Sequence, residues 1–95
     1  MIPENRVPTH PGEVLLEEFL RPLGVSQVAF SAHIGVPIQR VNELVHARRG
    51  VTPETAWLLA KALGTTPEFW MNLQSIHDLA ESRPRKVIRR LQRAG

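Results

Sequence analysis

The sequence predicts an all-α fold, a bundle of five helices, on three observations. No alternation of Val, Ile and Thr runs long enough for a strand, whereas apolar residues recur at helical spacing throughout. Gly35 stands between two short segments of that spacing, where a turn between helices needs a residue that tolerates φ > 0. Two triplets, Thr52-Pro53-Glu54 and Thr66-Pro67-Glu68, each join an N-cap hydroxyl, a proline at the first helical position and an acid facing the helix dipole.

Taken in order, residues 1–10 form an extended N-terminal segment, since three prolines fall by position 11. The first helix starts near Pro11 or Gly12 and runs to about Leu20. Leu16, Leu20 and Leu23 share a stripe, and the helix should end before Pro22, whose ring disfavours α conformation at Arg21. Ser26 caps the second helix, with Val25 placed to staple onto Phe30. The third helix has Pro37 at its first position, where the missing N–H costs nothing. The fourth begins at Thr52 and stops at Gly64, and the fifth runs from Thr66 to about Glu81. Residues 11–82 thus make one helical domain, followed by a basic tail, 83–95. Connections are short, as a compact bundle requires.

Ninety-five residues suit one domain with one modest core. The lack of cysteine excludes a disulfide framework and a Cys-based zinc site, and fits a cytoplasmic location. The N-terminus has no basic region followed by an apolar run, so no signal peptide is expected, and no apolar stretch approaches a membrane span. The net charge of +3 hides an asymmetry. Residues 83–93 hold six Lys or Arg and no acid, while residues 1–82 hold six against nine Asp or Glu, a net of −3. The basic balance belongs to the tail. Any anionic partner of the body must be met by a local patch, and Arg40, Arg48 and Arg49 are half of the six basic residues of the body.

Residues 26–49 carry the spacing of a helix-turn-helix. Phe30, Ile34 and Val36 before and after the turn, with Val41 and Leu44, bury the seam between two crossed helices. Ile38, Gln39, Arg40, Asn42 and Glu43 are left outside it. Arg, Gln and Asn are the side chains that make bidentate contacts to guanine or adenine in the major groove, so one helix supports and the next is offered to double-stranded DNA. Ser26 and Gln27 open the supporting helix, where a side-chain amide beside free N–H groups holds a phosphate. Arg48 and Arg49 read as phosphate clamps, or as partners of the third helix's C-terminal dipole. A plain helical hairpin would share the seam, but the glycine, the polar outer face and the two following helices favour DNA reading.

The aromatic residues Trp57, Phe69 and Trp70 read as core in part. On the fifth helix Phe69, Leu73, Ile76 and Ala80 form one stripe, and Trp70 with His77 a neighbouring one, more apolar girth than a small bundle hides. Phe69, Trp70, Leu73, Ile76 and His77 are therefore the expected homodimer face, with Leu73 also serving the core. His10, His33, His46 and His77 lack metal-ligand spacing and read as surface or capping residues. No metal, cofactor or catalytic constellation is expected, hence no enzyme. Glu17 and Glu18 adjoin in sequence but do not share a helix face. The tail carries Val87, Ile88 and Leu91 between cationic residues, consistent with a docking helix, an arm on DNA phosphates or a disordered solubilising end.

Three segments go beyond a generic helix-turn-helix: HPGEVLLEEFLRPLGVSQ, GVPIQRVNELV and GVTPETAWLLAKALGTTPEFWMNLQ. From His10 to about Leu79 they resemble the HigA-type antitoxins of the Xre superfamily. The resemblance implies a five-helix phage-repressor-like bundle with the recognition helix at Pro37 to Val45, and places Gln27, Ile38, Gln39, Arg40, Asn42 and Glu43 toward an operator. It implies a small dimeric repressor that binds a palindromic operator ahead of its own operon and neutralises a HigB toxin, a messenger-RNA ribonuclease of the RelE fold. Such a ribonuclease should be basic, so the acidic body should face it, with Glu13, Glu17 and Glu18 on the first helix as candidate contacts. A regulator without a toxin, and a toxin-binding module without DNA binding, are the alternatives. Two departures stand out. Ser31 replaces the usual alanine of the second helix, and His46-Ala47-Arg48 replaces the usual Asn-Gly-Lys. Either Ala47 adopts φ > 0, at a cost of about 1 kcal/mol, or the third helix runs on.

Overall fold

The computed structural model describes residues 9–94. Most of the segment expected to be extended, residues 1–8, lies outside the described residues. All regular structure among the described residues is helical: α1 (Pro11–Val14), a π-helical turn (Leu15–Leu20), α2 (Arg21–Leu23), α3 (Gln27–Ile34), α4 (Ile38–Val45), α5 (Pro53–Leu63) and α6 (Pro67–Glu81). The first three run on without a break and form the expected first helix, so the five expected helices are all present.

The His10-Pro11-Gly12 start of that helix has a separate task for each residue. His10 is extended, with φ −64° and ψ 141°, and its Nδ1 accepts the Gly12 N–H at 2.9 Å. Pro11 occupies the first turn, where no amide hydrogen is needed, and is fully buried. Gly12 lies against the end of α4: a Cβ there would overlap the Leu44 carbonyl oxygen. Only glycine lets the two backbones meet so closely.

The helix does not end before Pro22. Arg21 keeps α conformation and its N–H reaches Leu16 O, five residues back. This wider turn absorbs the proline, because it shifts the carbonyls that the ring would otherwise strike and that its missing N–H would leave unpaired. It also changes the buried stripe. Leu15 and Leu20, five residues apart, are both fully buried, whereas Leu23 is 63% exposed. The chain turns away at Gly24, which has φ 67°.

Ser26 Oγ accepts the Ala29 N–H at 3.0 Å and caps α3. Val25 and Phe30 line one apolar groove, consistent with the expected staple. Ser31 is buried in the seam and its hydroxyl donates to Val28 O at 2.8 Å, so the departure from alanine leaves no unpaired group. Pro37 proves to be the N-cap of α4 rather than its first residue. Its ψ of 146° is extended, and Arg40 N–H reaches its carbonyl at 3.0 Å. Phe30, Val41, Leu44, Leu59 and Trp70 form the centre of the core, with Ile34, Val36 and Leu73 packed against it.

α4 stops in the manner of a glycine-terminated helix, without a glycine. Ala47 has φ 59°, its N–H reaches Leu44 O at 3.0 Å, and the Arg48 N–H reaches Glu43 O at 2.8 Å. The two crossed bonds satisfy the last carbonyls and force the residue between them into left-handed conformation.

Trp70 is not part of an exposed face. It has 0% exposure, its indole N–H donates to Thr65 Oγ1 at 2.7 Å, and its ring meets Phe19 at 5.4 Å and Phe69 at 5.0 Å. His77 lies edge-on to His10, ring centres 4.9 Å apart, and Ile76 is half-buried. The expected dimer stripe is thus turned largely inward, because Phe19 and His10 of the first helical segment cover it. Of its members, Phe69 is the most exposed, at 38%. The tail carries no helix or strand over residues 83–94 and is exposed throughout.

Two substitutions test these local assignments. Ala47→Gly removes the strain and should stabilise the fold by about 1 kcal/mol, read as a rise of roughly 4–8 °C in thermal midpoint. The second concerns acid stability. Burial and the neighbouring His77 hold the His10 imidazole below its ordinary value of 6.5, although Asp78, Glu81 and Glu13 pull the other way. The unfolded chain therefore binds more protons just below pH 6.5, and stability falls as the pH drops through 6.5 toward the folded-state value. His10→Asn keeps a capping acceptor but does not titrate. Its urea midpoint should vary less between pH 7 and 5 than that of the unaltered chain.

Candidate nucleic-acid interface

α3 and α4 are joined by a tight turn. Gly35 has φ 73°, and the Val36 N–H reaches back to Ser31 O at 3.0 Å. The turn sets α4 across α3 with Val41 and Leu44 facing inward, each 2% exposed. α4 is strongly two-sided as a result. Pro37, Ile38, Gln39 and Asn42 are exposed on its outer face, and Arg40 and Glu43 are half-buried at its edges.

The supporting helix reaches this face through a side-chain hydrogen bond. Asn42 Nδ2 donates to Gln27 Oε1 at 3.3 Å. Gln27 sits at the open N-terminus of α3 beside the Ser26 cap, so its own amide hydrogens remain available to an anion. The bond ties a side chain suited to phosphate to one suited to a base edge, and fixes the spacing between them.

The basic residues are less free than the sequence suggests. Arg40 lies over the seam beside Ile34, Val36 and Leu58, and its Nη1 is 3.4 Å from Glu54 Oε1. Arg49 binds Glu43, Nη2 to Oε1 at 2.9 Å and Nε to the same oxygen at 3.0 Å. Glu43 therefore holds Arg49 in place instead of projecting alone. Arg48 is exposed and makes no ion pair among the described residues. Both pairs are solvent-accessible and of the kind worth about 0–1 kcal/mol, so a phosphate group competes with them easily.

The loop that carries Arg48 and Arg49 is anchored by a residue the sequence reading did not single out. Gln74 is 8% exposed; its Oε1 accepts the Val51 N–H at 2.7 Å and its Nε2 donates to Asp78 at 2.9 Å. A Cβ at Gly50 would press on the Gln74 side chain at 3.1 Å. A glutamine one helical turn from both Trp70 and Asp78 was the available signal.

A second surface was also missed. The outward side of α5 and α6 carries Trp57, 56% exposed, and Leu79, 54% exposed, with Met71 between two adjoining grooves. Glu13, Glu17 and Glu18 are exposed on the first helix, and Glu17 pairs with Arg21 at 3.3 Å. No helix is long and apolar enough to cross a membrane, and no group of three potential metal ligands occurs, among the described residues.

A helix-turn-helix family model matches residues 16–70. Antitoxin HigA-1 of Vibrio cholerae is 43% identical over 82 residues, covering 85% of this chain and 76% of its own. Two solved structures are similar through most of their length. The Pseudomonas aeruginosa antitoxin HigA with the higBA promoter superposes with a TM-score of 0.77 at 39% identity, over 79% of this chain and 82% of its own. The antitoxin GraA in complex with its operator superposes with a TM-score of 0.81 at 35% identity, over 97% of this chain and 100% of its own. The chain belongs to the Xre-type helix-turn-helix family, among the HigA-type antitoxins.

Proposed function

We propose that this chain is the antitoxin and autorepressor of a toxin–antitoxin pair: it binds a palindromic operator as a homodimer and neutralises a HigB-like ribonuclease of RelE fold. The observation that carries the DNA half is the outer face of α4, where Gln39 and Asn42 stand exposed while Asn42 is fixed to Gln27. Ile38 and Gln39 meet base edges first, Asn42 follows one turn on, and Ser26, Gln27 and Arg48 hold the backbone. Pro37 sets the angle of entry. Arg40, Glu43 and Arg49 complete the surface once the Glu54 and Glu43 pairs open to phosphate. The solved complexes of the relatives with promoter or operator DNA support this reading.

Reading a palindrome needs two copies, with recognition helices about 34–36 Å apart. The inward turn of Trp70 moves the proposed dimer face from the stripe of Phe69, Leu73, Ile76 and His77 to the opposite side of α6. There Trp57, Met71 and Leu79 form an apolar surface continuous across α5 and α6, close to the loop of Arg48 and Arg49. The toxin is assigned to the acidic body, with Glu13 and Glu18 free of ion pairs among the described residues and Glu17 paired only at the surface.

Gel-shift against the promoter of its own operon tests the base-reading face. Gln39→Ala should weaken operator binding by about 1–3 kcal/mol while leaving random duplex nearly untouched, and Arg48→Ala should weaken both alike. Equal losses on both duplexes for Gln39→Ala would remove it from base reading. For assembly, Trp57→Glu should keep its helical circular dichroism, because the side chain is already half in water, yet sediment as a monomer with weak operator binding. A Trp57→Glu chain that still sediments as a dimer would place the contact elsewhere.

A further inference from the structure

We propose that the tail, residues 83–93, is a second DNA-binding element that lies along the phosphate backbone and supplies most of the electrostatic attraction of the operator complex. This rests on the DNA-reading function argued above and adds to it a partner for a segment that function does not use.

The first observation is a deficit in the body. Its interface has three arginines, and two of them must exchange an acid of the chain for a phosphate, Arg40 leaving Glu54 and Arg49 leaving Glu43. The body as a whole is net acidic. A duplex carries one negative charge per about 1.7 Å, and affinity for it is set largely by the number of phosphates neutralised. The body alone is poorly equipped for that.

The second observation is where the tail starts. Ser82 and Val51 line the same groove, together with Gln74 and Asp78. Val51 closely follows Arg48 and Arg49 in the chain, so the tail leaves the body on the flank that holds the proposed phosphate clamps. Its cations, Arg83, Arg85, Lys86, Arg89, Arg90 and Arg93, thus follow directly from a root on that flank. Eleven extended residues reach on the order of 35 Å, enough to track a strand for most of a helical turn.

The third observation is conformation. The tail carries no helix or strand and is exposed, with Val87 at 86%, Ile88 at 71% and Leu91 at 96% accessible. An arm that follows phosphates needs no helix, and a helix this short is unstable alone. The match to GraA in complex with its operator covers 97% of this chain, so its span takes in the tail.

The test uses the full-length chain with all six tail cations changed to glutamine, titrated against operator and random duplex over a range of salt. Binding to both should fall by a similar factor, leaving the preference for operator intact. The slope of log affinity against log salt should shrink by about 0.9 for each phosphate that the altered tail leaves unneutralised, up to roughly 5. A cation-free tail that binds both duplexes with unchanged affinity and slope overturns the proposal. So does a Val87→Ser, Ile88→Ser, Leu91→Ser variant that loses as much affinity as the cation-free one, since an apolar partner would then carry the tail. If the unaltered chain shows the steep, tail-dependent slope but no preference for operator, the base-reading assignment fails and the tail's role stands.

Discussion

The close approach of Gly12 to the Leu44 carbonyl is the constraint on which the rest of the arrangement depends. α4 is a short helix with one apolar edge, and a helix of two turns has little stability of its own. Its seam with α3 fixes one side, and the first turn of the N-terminal helix fixes its far end by backbone contact rather than by side chains. That contact is possible only with no Cβ at position 12, a proline already committed to the first turn, and a capping group on His10 that leaves the turn unstrained. A side chain at position 12, or loss of the capping acceptor at position 10, disturbs the end of α4, and with it the direction in which Gln39 and Asn42 point.

The other end of the recognition unit is held differently. Here the chain leaves α4 through a left-handed alanine and enters a loop whose amide at Val51 is satisfied by the buried Gln74. A buried amide without a partner costs about 1–3 kcal/mol, so the glutamine is what makes an irregular, partly buried loop tolerable. The strain at Ala47 and the polar clamp at Gln74 together hold Arg48 and Arg49 at a set height above the seam. Rigid placement there matters more than the strength of either ion pair, since phosphate contacts fix register and base contacts depend on that register.

Most of the fold was legible in the sequence because its helix ends are written in local chemistry. The Thr-Pro-Glu starts, the Ser26 cap and the seam of residues 30–44 are all properties of neighbours in the chain. Two features were not legible for a physical reason. The π-helical turn at Leu15–Leu20 depends on a trade between Pro22 and carbonyls one turn back, so a periodicity fixed at 3.6 residues placed Leu23 inside and overlooked Leu15. The orientation of α6 depends on which of two apolar stripes meets Phe19 and His10, and that is a tertiary choice. In the candidate interface, residue types and positions could be read directly. The internal pairing of Arg40 and Arg49 could not, because Glu54 lies on a different helix and Glu43 six residues away.

The Gln74–Val51 bond has a consequence for how the molecule opens. The Val51 amide belongs to no helix or turn, yet its hydrogen is locked to a buried side chain of α6. Solvent reaches it only when α6 and the loop part company. Hydrogen exchange at this single amide therefore reports the free energy of separating the C-terminal helix from the rest, independently of the fraying of any helix end. It is a built-in gauge of whether the clamp arginines and the outward face of α6 move as one body.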